Sequence, residues 1–259
     1  MDERQESRAK VRLFVAAALA PGASVPLSSD QAHYAGKVMR LDPGDPVLLF
    51  NGRDGEWRAR LETLGRKGAA AVAEARTRAQ VPESDTGLLF APLKKSALDF
   101  LIAKATELGA TTLRPVATRR TAAGRVNLAR LRAQAVEAAE QCARLTVPDV
   151  RPLEALDRAL GDWRGPRLFV ADESGAGVPV AEAFAGAGAA TGPNGPAAFL
   201  VGPEGGFERS ELDALARLPF VTRIALGPRL LRAETAAIAA LACWQALAGD
   251  GRALPPPRQ

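Results

Sequence analysis

The sequence predicts an α/β protein in two parts, a small β-rich module ahead of a larger domain built on a mostly parallel sheet. Three observations predict it. Two strand-length apolar runs flank Asn51-Gly52-Arg53-Asp54-Gly55, which is a hairpin signal. The stretch Arg76 to Gly87 is polar, carries Pro82, Ser84 and Asp85, and reads as a linker. Beyond it, apolar runs alternate with helical periodicity, the pattern of parallel strands joined by helices.

Taken in order, Val11 to Ala18 is an apolar run of strand length. Ser28, Ser29 and Asp30 offer helix N-caps, and Gln31 to Met39 reads as a short helix. Asp42-Pro43-Gly44-Asp45 is turn chemistry. It leads into Pro46 to Phe50, the first hairpin arm; Glu56 to Leu64 is the second, and Gly68 to Ala75 supplies another strand. These elements fill a module over 1–80, leaving 81–259 for the α/β domain. There, Leu88 to Leu93 is a strand. Ala97 to Leu108 is a helix whose Leu98, Leu101, Ile102, Ala105 and Leu108 share one face, with Gly109 as its C-cap. Thr111 to Ala117 is a strand, and Asn127 to Arg144 a long helix closed by Pro148. Strands follow at Arg167 to Ala171, Ala197 to Val201 and Val221 to Leu226, with helices at Arg209 to Arg217 and Ala233 to Ala248. Ala183 to Pro196, rich in Gly, Ala and Pro, is expected to be a flexible loop, and Pro255 to Gln259 a disordered tail.

Composition excludes several classes. No window approaches eighteen consecutive apolar residues, which argues against a membrane span. Met1 to Lys10 is charged and lacks the apolar stretch of a secretory signal, so a cytoplasmic protein is expected. Cys142 and Cys243 are far apart, and His33 is the single histidine, so neither a metal site nor a Cys–His pair is expected. Both cysteines lie in apolar helical stretches and read as small core residues. A net charge of +5 suits a polyanionic partner but is modest for this length. The excess of arginine over lysine is explained better by a GC-rich genome than by a nucleic-acid partner.

Chemistry concentrates in two strand-end segments. In the first, Phe199-Leu200-Val201 runs into Gly202-Pro203-Glu204-Gly205-Gly206-Phe207. Glycines there let the backbone turn sharply and approach a ligand, although a plain tight turn accounts for them equally well. The segment is neither a dinucleotide nor a phosphate-loop fingerprint, and it lacks the lysine a nucleotide-dependent enzyme would need. The second, Ala225-Leu226-Gly227-Pro228-Arg229-Leu230-Leu231-Arg232-Ala233-Glu234-Thr235-Ala236, ends a strand and opens the last helix. Glu234 and Thr235 fall in its first turn, where a carboxylate also serves as a cap. Two Gly-Pro turns at the ends of two successive strands are expected to face each other and form one pocket.

These two segments resemble the paired signatures of the RsmE-type 16S rRNA uridine-N3 methyltransferases, members of the SPOUT superfamily. The resemblance extends to Lys104-Ala105-Thr106-Glu107-Leu108-Gly109, to Glu137-Ala138-Ala139-Glu140-Gln141-Cys142-Ala143-Arg144 with Val147-Pro148, and, near the start, to Arg12-Leu13-Phe14-Val15, His33, Val38-Met39-Arg40 and Gly44-Asp45. It covers nearly the whole chain in order. Leu230 departs from the family's commoner isoleucine or valine, and Glu208 from a small N-cap; neither touches the glycines.

The resemblance implies a PUA-like β-barrel domain followed by an α/β methyltransferase domain with a deep trefoil knot, a rare exception to un-threaded chains. It implies S-adenosylmethionine as methyl donor, held by the main chain near Leu200, Val201, Gly202, Pro203, Gly205, Leu226, Gly227, Leu230, Leu231 and Ala236. Leu226, Leu230 and Leu231 could flank the adenine, but as side chains they read as core. Arg232 is expected to stabilise negative charge on a uracil oxygen, with Glu234 orienting it or assisting proton removal. Capping by Glu234 beside a solvated Arg232 is the alternative. Arg12, His33, Arg40, Lys94, Lys95, Arg119 and Arg120 are the expected RNA contacts, mostly to phosphates. The expected partner is 16S rRNA within the small ribosomal subunit, and the expected assembly a homodimer with the pocket near the subunit interface. Ile238, Leu241, Trp244 and Leu247 form an apolar stripe that fits either a dimer contact or the protein's own core. Another SPOUT target nucleotide, or a non-catalytic RNA-binding assembly protein on the same fold, are the rival readings.

Overall fold

A computed structural model describes residues 9, 11–65, 68–121, 125–161, 163–191 and 195–255. Apart from Ala9, the N-terminal ten residues lie outside the described residues, as does the expected tail beyond Pro255. The chain divides into two compact units. The first takes the described residues up to Pro82 together with Ala139–Val147; the second takes Glu83–Ala138 and Pro148–Pro255.

The first unit is a five-stranded sheet in the order β1-β3-β4-β5-β2. Its strands are β1 Arg12–Phe14, β2 Ser24–Leu27, β3 Pro46–Phe50, β4 Glu56–Gly65 and β5 Gly68–Arg78. Only β1 and β3 run parallel; the remaining pairs are antiparallel. The expected strand at Val11 to Ala18 pairs over just three residues, and β2 is a strand the sequence reading missed. Alternate residues turn inward in the period-two manner of strands: Leu13, Val25, Val47, Leu49, Ala59, Leu61, Ala71 and Ala73 are buried. Helix α1 Ser29–His33 begins where a capping box closes, the Gln31 amide donating to the Ser28 hydroxyl and the Ser28 amide to the Gln31 side chain. The single helix expected through Met39 instead loosens after His33 into a π turn, Tyr34–Val38, in which the Met39 amide donates to the Tyr34 carbonyl.

The residues 139–147 belong to this unit, although the sequence placed them in the second domain. The reason is Arg12. Its side chain, 10% exposed, pairs with Glu56 at 2.6 Å and lies 3.7 Å over the Phe50 ring. It also donates to the Ala139 carbonyl at 2.7 Å and to that of Arg144. Arg78 donates to the Ala143 carbonyl at 2.8 Å, and Glu140 accepts from the Phe14 amide at 2.8 Å. Long side chains thus satisfy the carbonyls that a helix end leaves unpaired.

The second unit carries β6 Thr86–Phe90, α2 Lys95–Glu107, β7 Thr112–Ala117, α3 Leu128–Gln141 up to Ala138, β8 Asp149–Val150, β9 Glu154–Ala155 and α4 Leu156–Gly161. Then come β10 Leu168–Ala171, β11 Val178–Pro179, α5 Val180–Thr191, β12 Ala197–Val201, α6 Arg209–Ala216, β13 Val221–Ala225 and α7 Ala233–Leu247. The sheet order is β11-β13-β10-β12-β6-β7-β8, with β9 beside β7, and every pairing is parallel. Strands buried on both faces read as continuous apolar runs, as β12 does. On one face, Phe169, Phe184, Phe199 and Trp244 form an aromatic cluster with ring centroids 4.9–5.9 Å apart. On the other, Leu168, Val170, Ala198 and Leu200 meet Leu156, Leu160, Leu212 and Leu215 of α4 and α6.

Three expectations change here. The flexible loop expected from Ala183 is helical as far as Thr191, within α5, and residues 192–194 lie outside the described residues. The stripe on α7 is mostly core: Leu241 and Trp244 are buried, while Leu247 is 48% exposed. Cys142 and Cys243 are half-buried rather than fully interior. Gly109, with φ +83°, ends α2 in the left-handed conformation expected of a C-cap glycine. No helix among the described residues is long and apolar enough to cross a membrane.

Candidate cofactor and RNA site

Because the sheet is parallel, every strand delivers its following loop to one edge, where ligands of open α/β sheets bind. That edge collects 91–94 after β6, 118–121 after β7, 172–174 after β10, 202–207 after β12 and 226–232 after β13. Strand β10 lies between β12 and β13, so the two Gly-Pro turns, on strands successive in the chain, do not sit on adjacent strands of the sheet. The loop after β10 stands between them. Sequence reasoning missed it because it lacks Gly-Pro; the cue was an acid pair, Asp172-Glu173, directly after an apolar strand.

This middle loop organises both sides. Asp172, buried at the end of β10, accepts from Arg223 of β13 at 2.7 Å and from the Ser174 amide at 2.9 Å. Burial alone would raise the Asp172 carboxyl. Hydrogen bonds from Ser174 and Arg223, with the Arg223 charge, outweigh that and hold it below the ordinary value. Glu173 accepts from the Phe207 amide at 2.9 Å and so fixes the far end of the turn after β12. Gly206 has φ +68°, and a Cβ there would stand 2.2 Å from the Glu173 carboxylate, so any other residue is strained and displaces Glu173. From the other side, Arg120 donates to the Gly205 carbonyl at 3.0 Å. Glu211 accepts from the amides of Arg119 at 2.8 Å and Glu208 at 2.9 Å, which places the capping box of α6 against the loop after β7.

The turn after β13 is different. Among the described residues, no main-chain group of 226–231 takes part in a backbone or side-chain hydrogen bond. Gly227 is exposed at φ +96°, with nothing within 4 Å of where a Cβ would stand. Leu230 is 85% exposed, which overturns its reading as a core leucine; Leu226 and Leu231 are half-buried. Unspent amides and carbonyls flanked by apolar side chains suit a ligand with an aromatic base and polar edges. Leu200, Val201 and Ala236 are buried, so they can reach a ligand only through the main chain, and the Val201 carbonyl already accepts from the Ala91 amide. Gly202 packs against the Phe207 ring, and the Pro203 carbonyl accepts from the Gly206 amide.

Arg232 is the exposed N-cap residue of α7, and Glu234 is half-buried in its first turn. No hydrogen bond or ion pair joins the two among the described residues. Of the expected RNA contacts, Lys94 and Lys95 are exposed at the start of α2. Arg119 is exposed but already bonded to Glu208 and Ser210. In the first unit, His33 and Arg40 are exposed. Arg12 is withdrawn from the expected RNA contacts: its donors are engaged inward, and a cation so committed cannot also hold a phosphate. Among the described residues, no group of three or more His, Cys, Asp or Glu side chains could hold a metal ion.

Comparison with known proteins places this geometry. The RNA methyltransferase domain family matches residues 81–245, and an RNA methyltransferase PUA domain matches 27–74. The chain is 32% identical over 235 residues to the ribosomal RNA small subunit methyltransferase E of Rickettsia conorii, covering 89% of this chain and 93% of that one. It is 32% identical to the Synechocystis protein of the same name, covering 91% and 77%. Among solved structures, the Neisseria gonorrhoeae ribosomal RNA small subunit methyltransferase E bound to S-adenosyl methionine superposes with a TM-score of 0.78 at 29% identity, covering 92% and 97%. A Legionella pneumophila methyltransferase in complex with the same cofactor gives 0.80 at 26%, covering 93% and 98%. With a family match over residues 81–245 and a relative 32% identical over 89% of the chain, the chain belongs to the ribosomal RNA small subunit methyltransferase E family of RNA methyltransferases.

Proposed function

We propose that the protein methylates N3 of a decoding-region uridine in 16S rRNA, using S-adenosylmethionine. The observation that carries this reading is the unpartnered main chain of 226–231 beside a braced glycine turn, in a chain of this family. Gly227 and the carbonyls and amides around it hold the donor; Leu226 and Leu231 flank its base. S-adenosylmethionine supplies an electrophilic methyl group on a sulfonium centre.

The protein has to orient the two reactants and prepare the acceptor. Uridine N3 carries a proton, and its lone pair can attack only as that proton leaves. Arg232, exposed at the start of α7, stabilises the negative charge that appears on a uracil carbonyl oxygen. Glu234, in the first turn of the helix, orients Arg232 or takes the N3 proton. The uridine must leave its stack to reach this edge. Lys94 and Arg120 on the second unit, and His33 and Arg40 on the first, hold RNA phosphates. The same reading includes a trefoil knot at the cofactor loops, a homodimer, a cytoplasmic setting and the small ribosomal subunit as context. The test is incubation of unmodified small ribosomal subunits, and of free 16S rRNA alongside, with the protein and S-adenosylmethionine, followed by nuclease digestion and mass spectrometry. 3-Methyluridine is the expected product; a methylated ribose or guanine, or no product, refutes the assignment.

A further inference from the structure

We infer that an arginine-lined cleft on the second unit, separate from the cofactor edge, is an additional contact site for single-stranded RNA flanking the target uridine; this rests on the RNA reading above. The floor follows from the sheet register. Gly87 pairs with Thr112 on one side and Ala198 on the other, so three small residues stand in one row across β7, β6 and β12. A row of small side chains leaves a hollow where α4 and residues 163–166 rise beside the sheet. That hollow has a volume of about 360 Å³, at the lower end of small-ligand pockets. A second hollow of about 510 Å³ shares Thr112 and Arg114 with it, so the two form a track rather than a closed pocket. A track suits a chain.

The walls carry the chemistry of single-strand recognition, cations beside an aromatic ring. Trp163 is held rigidly: its indole nitrogen donates to the Pro166 carbonyl at 2.9 Å, and its ring stacks on Phe220 at 5.7 Å. Arg114 is fixed by Glu154 at 2.8 Å. Arg158 and Arg164 are exposed at the rim, with no ion pair among the described residues, and Asp85 is the acid lining the first hollow. Two uncompensated guanidiniums facing a groove are suited to phosphates, which they can bind with two parallel hydrogen bonds. The floor row lies four residues before the carboxyl-edge turns on β6 and β12, about 13 Å at the rise of a strand. That is a few nucleotides of extended RNA from the cofactor loops.

The test compares the wild-type protein with the Arg158→Ala/Arg164→Ala pair, measuring 16S rRNA transcript binding across a salt series and S-adenosylmethionine binding by calorimetry. Loss of two phosphate contacts should weaken RNA binding about tenfold at low salt. It should also lower the slope of log affinity against log salt by about 1.4, with cofactor binding unchanged. If the pair disturbs cofactor binding, Arg158→Lys/Arg164→Lys decides, since it keeps both charges and should keep the wild-type slope. Equal affinity and slope in wild type and the Ala pair overturn the cleft alone. Wild-type protein that binds no RNA overturns the cleft together with the RNA reading.

Discussion

Replacing Gly206 with alanine tests whether the loop after β10 sets the shape of the turn after β12. Two costs are expected. A side chain at φ +68° pays the left-handed penalty, about 1–2 kcal/mol. The new Cβ, 2.2 Å from the Glu173 carboxylate, also drives that side chain off the Phe207 amide. Glu173 is exposed and can swing away, so the second cost is the lost hydrogen bond, about 1 kcal/mol. The sum is about 2–3 kcal/mol, equivalent to a fall in Tm of roughly 4–12 °C for a unit of this size. A double-mutant cycle separates the parts. In a Glu173→Ala background, Gly206→Ala should cost only the backbone term, giving a coupling of about 1 kcal/mol by urea denaturation. Identical costs in both backgrounds would refute the contact as the source of the second term. A cost near zero in either would refute the backbone argument as well.

The remaining predictions follow from single groups. Asp172 is held below its ordinary value of 3.8 in the folded protein, so it stabilises the fold above that pH and loses the contribution as pH falls through the lower, folded value. Denaturation midpoints should therefore drop on acidification below about pH 4, and less so in Asp172→Asn. Arg12→Ala removes the nearer cation of buried Glu56, leaving Arg78 at 3.7 Å, and should destabilise the protein by about 3 kcal/mol, seen in urea melts. The salt slope of RNA binding is expected to stay unchanged in any folded Arg12 variant. Arg232→Ala and Glu234→Gln should each slow methyl transfer about 100-fold or more with calorimetric cofactor affinity intact. Near-normal rates would return both residues to helix capping.

Much of the architecture was legible in local chemistry. The Asn-Gly and Asp-Gly hairpin between β3 and β4, the apolar face of α2 and its glycine stop are short-range signals, and the structure carries them where they were read. Helix α5 was hidden because Gly186 and Gly188 interrupt an alanine-rich segment, and glycine lowers helix propensity whatever the tertiary packing then supplies. The allegiance of residues 139–147 depends on Arg12 and Arg78, more than sixty positions away, reaching helix-end carbonyls. No window of sequence contains such a contact. The same holds for β10: that it separates β12 from β13 is a fact of strand order, which brings Asp172 and Glu173 into the site although neither lies in a recognisable motif. The glycine turns were readable; what braces them was not.

The central claim is that the main chain of the turns after β12 and β13 holds the methyl donor. Amide hydrogen exchange with and without S-adenosylmethionine measures it directly, residue by residue. Slowed exchange concentrated in the amides of 226–232 and of Glu204 and Gly205 is predicted, since these gain a partner on binding, whereas those of Gly206 and Phe207 are already bonded. Binding with those amides unchanged, or protection centred on the first unit, would contradict it.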